Sequence, residues 1–338
     1  MAAVKISVRN LVEFILRHGD LDNSQNLSDP DSMQEGTRLH RKIQKSMGPG
    51  YASEVSMSLT SEVDYDGEPI EITVEGRANG PEEWEGDGSY PVSVAIDEIK
   101  CVYQELSALK DMRPLHRAQA LCYASQYAIR YEHEYIGVQL TYCHIETEKI
   151  KRFQETLPRT ELIGWYNQLL LEYAKWIAWQ RRWAKVRDAS MKQLAFPFAY
   201  RPGQKELAAG IYRTILRGKN IFIEAPTGVG KTISTLFPSI KAFGEGLVEK
   251  IFYLTAKTIT RTVAEETFRI LSEHGLKMKL ISLISKEKSC ILEKPECNPV
   301  RCDRARGHFD RINDAVYDML THEEGITREL ILQYAEKH

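Results

Sequence analysis

The chain has 338 residues, with 45 lysines and arginines against 47 aspartates and glutamates, and a formal net charge of −2. This length allows two domains with separate cores, and the balanced charge excludes a protein that attracts nucleic acid over its whole surface. No apolar run is typical of a signal peptide or long enough to span a membrane. Six cysteines without a secretion signal indicate a reducing compartment, so we expect a cytoplasmic protein with no membrane partner.

The charges are segregated along the chain. Residues 62–87 are acidic and contain Arg77 as their only base, whereas residues 175–192 are basic and contain Asp188 as their only acid. A basic segment of this kind is typical either of a surface that faces nucleic acid or of a solvated helix face.

The first predicted elements are helices. Ser7 is a suitable N-cap for a helix in which Leu11 and Phe14 follow helical spacing, and Gly19 is its predicted stop. A second helix is predicted over about residues 33–47. It contains the sequence EGTRLH, which ends at His40.

The strand predicted over residues 92–100 carries charge at the end of an apolar face. Val94 and Ile96 share that face, and the period of two continues it to Glu98 and Lys100. Buried charge is costly unless it is paired or bound to metal. A salt bridge at an exposed strand end explains this pattern. A metal-dependent nuclease site also explains it, if the carboxylate holds a divalent ion and the lysine orients the attacking water.

Four short motifs occur in order in this part of the chain: EGTRLH, GRANG, IDEIK and HRAQALCYA. Together they resemble the RecB-like branch of the PD-(D/E)XK nucleases, over roughly residues 1–195. The resemblance implies an α/β/α domain with a long C-terminal helix and a nuclease-type site. The site residues implied are His40, Asn79, Glu98, Lys100, Gln119 and Tyr123.

Asn79 departs from the pattern of this family, which usually has Asp at that position. A neutral amide is a weaker ligand than a carboxylate for a hard cation, so the metal affinity should be lower. The domain is therefore either an active nuclease or a degenerate relative that only holds DNA.

A long helix is predicted over residues 160–192. It carries four tryptophans that either stack on bases or pack in the core: Trp165, Trp176, Trp179 and Trp183. Cys101, Cys122 and Cys143 lie in apolar settings without ligand spacing, so they are predicted to be core residues.

The sequence NIFIEAPTGVGKT, residues 220–232, predicts an apolar strand, a glycine loop and a helix that begins at Lys231. This is the pattern of a phosphate-binding loop, in which backbone N–H groups hold phosphate, the lysine reaches the β- and γ-phosphates and the threonine hydroxyl binds Mg²⁺. The strict motif begins with glycine, and Ala225 stands there in this chain. The predicted ATP and Mg²⁺ residues are Thr227, Gly228, Val229, Gly230, Lys231 and Thr232.

A helix over residues 204–216 precedes the loop, and the strand KIFYLTAKT, residues 250–258, follows it. A strand, a helix and a further strand imply a right-handed crossover in a doubly wound parallel sheet. Gln204 lies where helicases of superfamily 2 place an adenine-recognising residue. Thr255, Lys257 and Thr258 lie at the carboxyl end of the strand and suit the phosphates of single-stranded DNA, although they also suit an ordinary strand-to-helix loop.

Cys290, Cys297 and Cys302 form a cluster in the sequence near basic residues. In a reducing compartment this grouping indicates a metal or cluster site rather than a disulfide, and zinc would favour C-x-x-C pairs, which are absent. With the phosphate loop and FYLTAKT, the segment resembles the iron–sulfur DNA helicases of the XPD and DinG type. That resemblance implies a [4Fe–4S] cluster in an insertion from about residue 286, with a fourth cysteine that this chain does not contain.

The combined prediction is a RecB-like domain over 1–195 and part of a RecA-like helicase domain over 196–338. The implied activity is ATP-dependent, 5′ to 3′ unwinding of DNA that is single-stranded or has a single-stranded tail, in repair or replication. Because a DEAH-type motif and a second motor domain are missing from the sequence, we expect a fragment that hydrolyses little ATP. The alternatives are a nucleotide-responsive DNA-binding scaffold and a metal-dependent nuclease that the motor part regulates.

Overall fold

The computed structural model describes residues 3–23, 30–81, 94–226, 228–256 and 258–338. The chain divides into two compact units, Met1–Ala178 with Glu296–Asp310 and Trp179–Pro295 with Arg311–His338. The predicted α/β class is confirmed, since helices accompany a mixed sheet that contains parallel strand pairs. The domain assignment 1–195 and 196–338 stays a prediction, and the compact units divide the chain at other points.

The first unit is built on a mixed sheet. Its strands, within the described residues, are β1 (Val4–Ser7), β2 (Tyr51–Tyr65), β3 (Glu68–Pro81), β4 (Ala95–Val102), β5 (Tyr135–His144) and β6 (Ile150–Pro158). The strand order is β1-β3-β4-β5-β6, and β2 pairs with β3 outside this path. The pairs β1–β3 and β4–β5 are parallel, and the other pairs are antiparallel.

Helices cover both faces of this sheet. On one face, α1 (Val8–Leu16), α3 (Pro114–Tyr131) and the first part of α4 (Arg159–Gln193) pack on a large apolar core. On the other face, α2 (Pro30–Ser46) packs through Leu39 and Ile43 against Ile99 of β4. The result is the α/β/α layering expected for this part of the chain.

The start of α1 follows from its sequence. Ser7 is the N-cap, and its side chain accepts a hydrogen bond from the N–H of Asn10 at 3.1 Å, as predicted. The helix ends at Leu16, three residues before the predicted stop at Gly19.

The second unit is mostly helical in the described residues. After the end of α4 its elements are α5 (Gln204–Leu216), α6 (Lys231–Gly244), α7 (Thr258–Glu273), β7 (Leu280–Ile281), α8 (Lys286–Ser289), α9 (His308–His322), β8 (Gly325–Ile326) and α10 (Arg328–Lys337), where α9 begins in the first unit. Its core joins Met191 and Leu194 to Phe243, Phe268 and Leu271. β7 and β8 pair in parallel.

Two predicted strands of the second unit are not formed. Residues 220–226 and 250–255 do not form strands, and the side chains of Phe222 and Leu254 are 98% and 88% exposed. An apolar run forms a strand only when a neighbouring strand pairs with its backbone N–H and C=O groups. In the described part of this unit, β7 and β8 alone are paired, so the prediction from hydrophobicity was wrong for these two segments.

Candidate functional site

The phosphate loop is shaped by two glycines and the start of α6. Gly228 and Gly230 have φ values of 87° and 74°, in the left-handed region that glycine adopts without steric cost. Gly230 is the N-cap of α6, and among the described residues no side chain caps the helix there. The first N–H groups of α6 therefore lack partners within the helix and suit an anion.

Lys231 lies across the backbone of its own loop. Its Nζ donates hydrogen bonds to the carbonyl oxygens of Ala225 at 2.9 Å and Pro226 at 2.8 Å. These are neutral acceptors, and a phosphate is a stronger, charged acceptor for the same ammonium group. Thr232 follows in the first turn of α6, where its hydroxyl suits Mg²⁺ bound to the phosphates.

The side chain of Gln204 binds the backbone of this loop. It is 5% exposed, its Nε2 donates to the carbonyl oxygen of Val229 at 3.2 Å, and its Oε1 accepts from the N–H of Arg201 at 3.0 Å. The Arg201 guanidinium also donates to the carbonyl oxygen of Gly228. The predicted adenine reader thus uses its amide within the protein, in contact with the loop.

An open pocket of about 380 Å³ lies at the loop. Its lining combines the phosphate-binding residues with apolar residues of α7 and one aromatic ring: Phe198, Gly228, Gly230, Lys231, Thr232, Ile233, Val263, Thr267 and Ile270. Charged and apolar surfaces in one pocket suit a ligand with a phosphate end and an apolar or aromatic end.

Some predicted residues lie outside this description. Thr227 and Lys257 are not among the described residues, and of Thr258 the structure shows that it begins α7. Thr255 is exposed, just before α7. The predicted DNA grip of Thr255, Lys257 and Thr258 therefore stays a prediction.

In the first unit, three residues of the predicted nuclease-type site meet. The Lys100 Nζ lies 2.7 Å from the Glu98 Oε1 and donates to the Gln119 Oε1 at 2.6 Å. The side chains of Lys100 and Glu98 are only 24% and 14% exposed, so this ion pair is shielded from water. The pairing predicted as one alternative from the strand pattern is present, and α3 supplies the glutamine.

Asn79 is a buried hydrogen-bond acceptor for α2 and β2. It is 5% exposed, and its Oδ1 accepts hydrogen bonds from the Gln44 Nε2 at 2.9 Å and from the backbone N–H of Glu54 at 2.8 Å. Glu54 has a positive φ of 54° and lies in the register shift between Ala52 and Val55 of β2. The Asn79 amide thus holds a strained bulge in the neighbouring strand.

His40 lies beside this bulge. Its Nδ1 is 4.0 Å from the Glu54 Oε1, which also accepts from the Gln44 Nε2 at 3.2 Å. Arg77 Nη1 lies 3.6 Å from the other carboxylate oxygen of Glu54. His40 and Gln44 are four residues apart on α2 and therefore point to the same side.

Tyr123 lies one turn after Gln119 on α3 and packs on the backbone of β3. A Cβ atom at Gly76 would come within 2.4 Å of the Tyr123 hydroxyl, so this position requires glycine. Burial first, and then the charges of Glu98 and Glu54, raise the pKa of Tyr123.

Sequence reasoning missed two acidic residues. Glu54 was missed because a bulge leaves no clear signal in a polar strand. Asp97 was missed because the period of two puts it on the face opposite Glu98. Asp97 is fully buried and accepts from the hydroxyls of Tyr51 at 2.8 Å and Thr141 at 2.7 Å, and burial raises its pKa.

The predicted metal ligands are not gathered. Among the described residues, no group of three or more His, Cys, Asp and Glu side chains is arranged to hold a metal ion. Cys297 and Cys302 belong to the first unit and Cys290 to the second, and all three are free and partly buried. A four-iron cluster needs four thiolates and this segment supplies three, so the cluster stays a prediction and we derive no step through it.

The tryptophans and the other cysteines pack within the protein. Trp176 contacts Phe14 edge-on, and Trp183 stacks parallel to Trp179 while the Lys279 ammonium covers its ring at 4.2 Å. Packing therefore accounts for these three rings. Of the three predicted core cysteines, Cys122 and Cys143 are buried and Cys101 is partly buried.

Comparison with known proteins identifies one segment. Residues 202–300 match the family model described as DEAD/DEAH box helicase. This match supports a helicase of superfamily 2 that hydrolyses ATP, uses Mg²⁺ and binds nucleic acid. It also supports a RecA-like part in the fold. No curated protein matches the chain.

One similar solved structure is described as "Crystal structure of SSO0001". Its TM-score is 0.30 at 14% sequence identity, over 51% of this chain and 77% of that one. In the part of the chain that the structure describes, no helix has the length and apolar character needed to cross a membrane.

Proposed function

We propose that the protein is an ATP-dependent DNA helicase of the XPD/DinG type with an N-terminal RecB-like nuclease fold. It unwinds DNA 5′ to 3′ in repair or replication, from single-stranded DNA or a single-stranded tail. The observation that carries this proposal is the phosphate loop. Gly228 and Gly230 open the uncapped start of α6, and Lys231 lies there within the segment that matches a helicase model.

In this proposal the chain positions the nucleotide. The N–H groups at the start of α6 hold the phosphates, and Lys231 exchanges its carbonyl acceptors for phosphate oxygens. Thr232 holds Mg²⁺. Gln204 ties the loop to α5, through its bond to Val229, and so links nucleotide binding to that helix. Thr255, Lys257 and Thr258 grip the phosphates of single-stranded DNA.

The experiment measures phosphate release by the protein with single-stranded DNA, with RNA and with neither. The proposal expects stimulation by DNA, and loss of turnover in Lys231→Ala but not in Lys219→Ala, which removes an exposed lysine in the turn after α5. Unwinding of duplexes with a 5′ or a 3′ tail tests direction. Stimulation by RNA alone would contradict the DNA assignment.

A second candidate function concerns the first unit. The cluster of Glu98, Lys100 and Gln119 favours a nuclease-type site, and the alternative is a scaffold that only holds DNA. Asn79, a neutral amide bound to Gln44 and Glu54, favours the inactive alternative. Cutting of linear DNA with Mn²⁺ or Mg²⁺ separates the two, because only an active nuclease loses activity in Glu98→Ala.

The iron–sulfur cluster stays a prediction from Cys290, Cys297 and Cys302. Anaerobic reconstitution with iron and sulfide, followed by metal analysis, tests it. Iron near four per chain with a brown colour would support the cluster. Tightly held zinc without iron would contradict it.

A further inference from the structure

One face of α2 carries a stripe of cations that the proposed functions do not use. The residues follow spacings of three and four and therefore share one side of the helix. An open pocket of about 580 Å³ lies along this side, lined by Gln34, Thr37, Arg38, Arg41, Lys42 and Lys45. We call these six residues the α2 stripe.

The acidic neighbours neutralise only part of the stripe. Arg38 is paired with Glu35 and Glu148, and Lys42 is paired with Glu148. These hydrogen bonds, from Lys42 first and Arg38 next, hold the pKa of Glu148 below its ordinary value.

Two further cations of the stripe have no such neighbour. Arg41 and Lys45 are exposed, and within the described residues no carboxylate lies at ion-pair distance from either side chain. They are one turn apart, about 6 Å along the helix axis. The stripe therefore presents a surplus of positive charge at its C-terminal half.

α2 lies on the face of the sheet opposite the nuclease-type cluster, because it packs against Ile99, and strand positions 98 and 100 point to the other face. His40 and Gln44, next to Arg41 and Lys45 in the sequence, face the Glu54 carboxylate. The remaining side of α2 is in the core, through Leu39 and Ile43, and holds the helix in place.

We propose that the α2 stripe binds the phosphate backbone of single-stranded DNA. The inference rests on the proposed DNA function and adds a second DNA contact, separate from the phosphate loop. Gln34 to Lys45 spans about 16 Å, a length over which several phosphates follow one another. The pocket of about 580 Å³ lies open to solvent along this side of α2.

The chemistry of the stripe fits phosphates. The Arg41 guanidinium can bind two phosphate oxygens at once, and the Lys45 ammonium acts as a point charge. Neither group reads bases in this arrangement, so we expect binding without sequence preference.

The test compares Arg41→Ala/Lys45→Ala with Arg9→Ala/Lys110→Ala in the full chain. The control removes the same charge from α1, on the opposite face of the sheet, and from the turn before α3, at positions with exposed side chains. Binding to a single-stranded oligothymidylate is measured by anisotropy from 50 to 300 mM salt. Two lost phosphate contacts lower the log–log salt slope by about 1.4, and affinity at 0.1 M salt falls about 20-fold.

The outcomes separate this inference from the helicase proposal. A reduced slope in the stripe variant, with the control unchanged, supports the stripe whether or not ATP turnover is stimulated by DNA. An unchanged slope overturns it, even if turnover is normal. Binding to phosphatidylserine vesicles that depends on Arg41 and Lys45, with DNA binding unchanged, would also overturn it. A thermal melt of each variant shows that α2 remains folded.

Discussion

The side-chain amide of Gln204 lies directly against Gly230. A Cβ atom at Gly230 would come within 2.7 Å of the Gln204 Nε2, which donates to the carbonyl oxygen of Val229. Both this contact and the φ of 74° therefore require glycine at position 230. The Gln204 amide therefore binds the phosphate loop and is not available to a base.

Gly230→Ala should weaken ATP binding and the fold together. The left-handed backbone costs alanine about 1–2 kcal/mol, and the methyl group would displace Gln204. Gly210→Ala is the matched control, because a Cβ atom at Gly210, within α5, meets nothing within 4 Å. That change should stabilise the protein by up to about 1 kcal/mol. Urea unfolding of both variants measures this, and equal effects would contradict the loop geometry.

Gln204→Ala should weaken ATP and GTP binding by similar factors. Both polar groups of its amide bind within the protein, to Arg201 and Val229, so its loss disturbs the loop and not base recognition. Calorimetry with the two nucleotides measures the ratio of affinities. A loss confined to ATP would favour the predicted adenine-reading role instead.

Asp97→Asn should make stability less dependent on pH. Burial raises the pKa of Asp97 in the folded protein. Protonated Asp97 therefore contributes to the unfolding free energy at low pH. This contribution is lost as pH rises from about 4, the ordinary pKa of the group, through its raised pKa in the folded protein. The unfolding free energy of the variant should fall less over this range than that of the wild type.

The control for this comparison is Asp303→Asn, whose side chain is 95% exposed. It should leave the pH profile of stability unchanged. Denaturant unfolding from pH 4 to 8 gives both profiles. If Asp97→Asn has the wild-type profile, the pKa of Asp97 is the same in the folded and unfolded protein and the pKa explanation is wrong.

Asn79→Asp should raise metal-dependent cutting if the nuclease-type site is a degenerate one. The carboxylate would still accept hydrogen bonds from Gln44 and from the Glu54 N–H, so the bulge remains while a ligand for a hard cation is restored. Cleavage of linear DNA with Mn²⁺ measures the effect. Brisk cutting by the wild type that survives Glu98→Ala would show that the assigned site is wrong.

Local patterns predicted much of the first unit and the phosphate loop. The period of two found β4 and its charged face, and the capping rule found Ser7 at the start of α1. These features depend on neighbours in the sequence. A family resemblance, and not physics alone, assigned Lys100 of β4 and Gln119 of α3 to one predicted site, and their contact was not predicted.

Features that depend on distant partners could not be predicted. The bulge at Glu54 requires Asn79 on the next strand, and a buried carboxylate at Asp97 requires hydroxyls from Tyr51 and Thr141. The apolar segments 220–225 and 250–255 look like strands, but their hydrophobicity carries no information about pairing partners.

The most direct test of the account is ATP binding at Lys231. Calorimetry with Mg²⁺ and a non-hydrolysable ATP analogue should show one site per chain in the wild type. In Lys231→Ala the affinity should fall about 10- to 100-fold, as expected for the loss of a hydrogen bond from a charged donor, whereas Lys219→Ala should bind normally. Equal affinity in wild type and Lys231→Ala would show that the loop does not hold the triphosphate and would contradict the account.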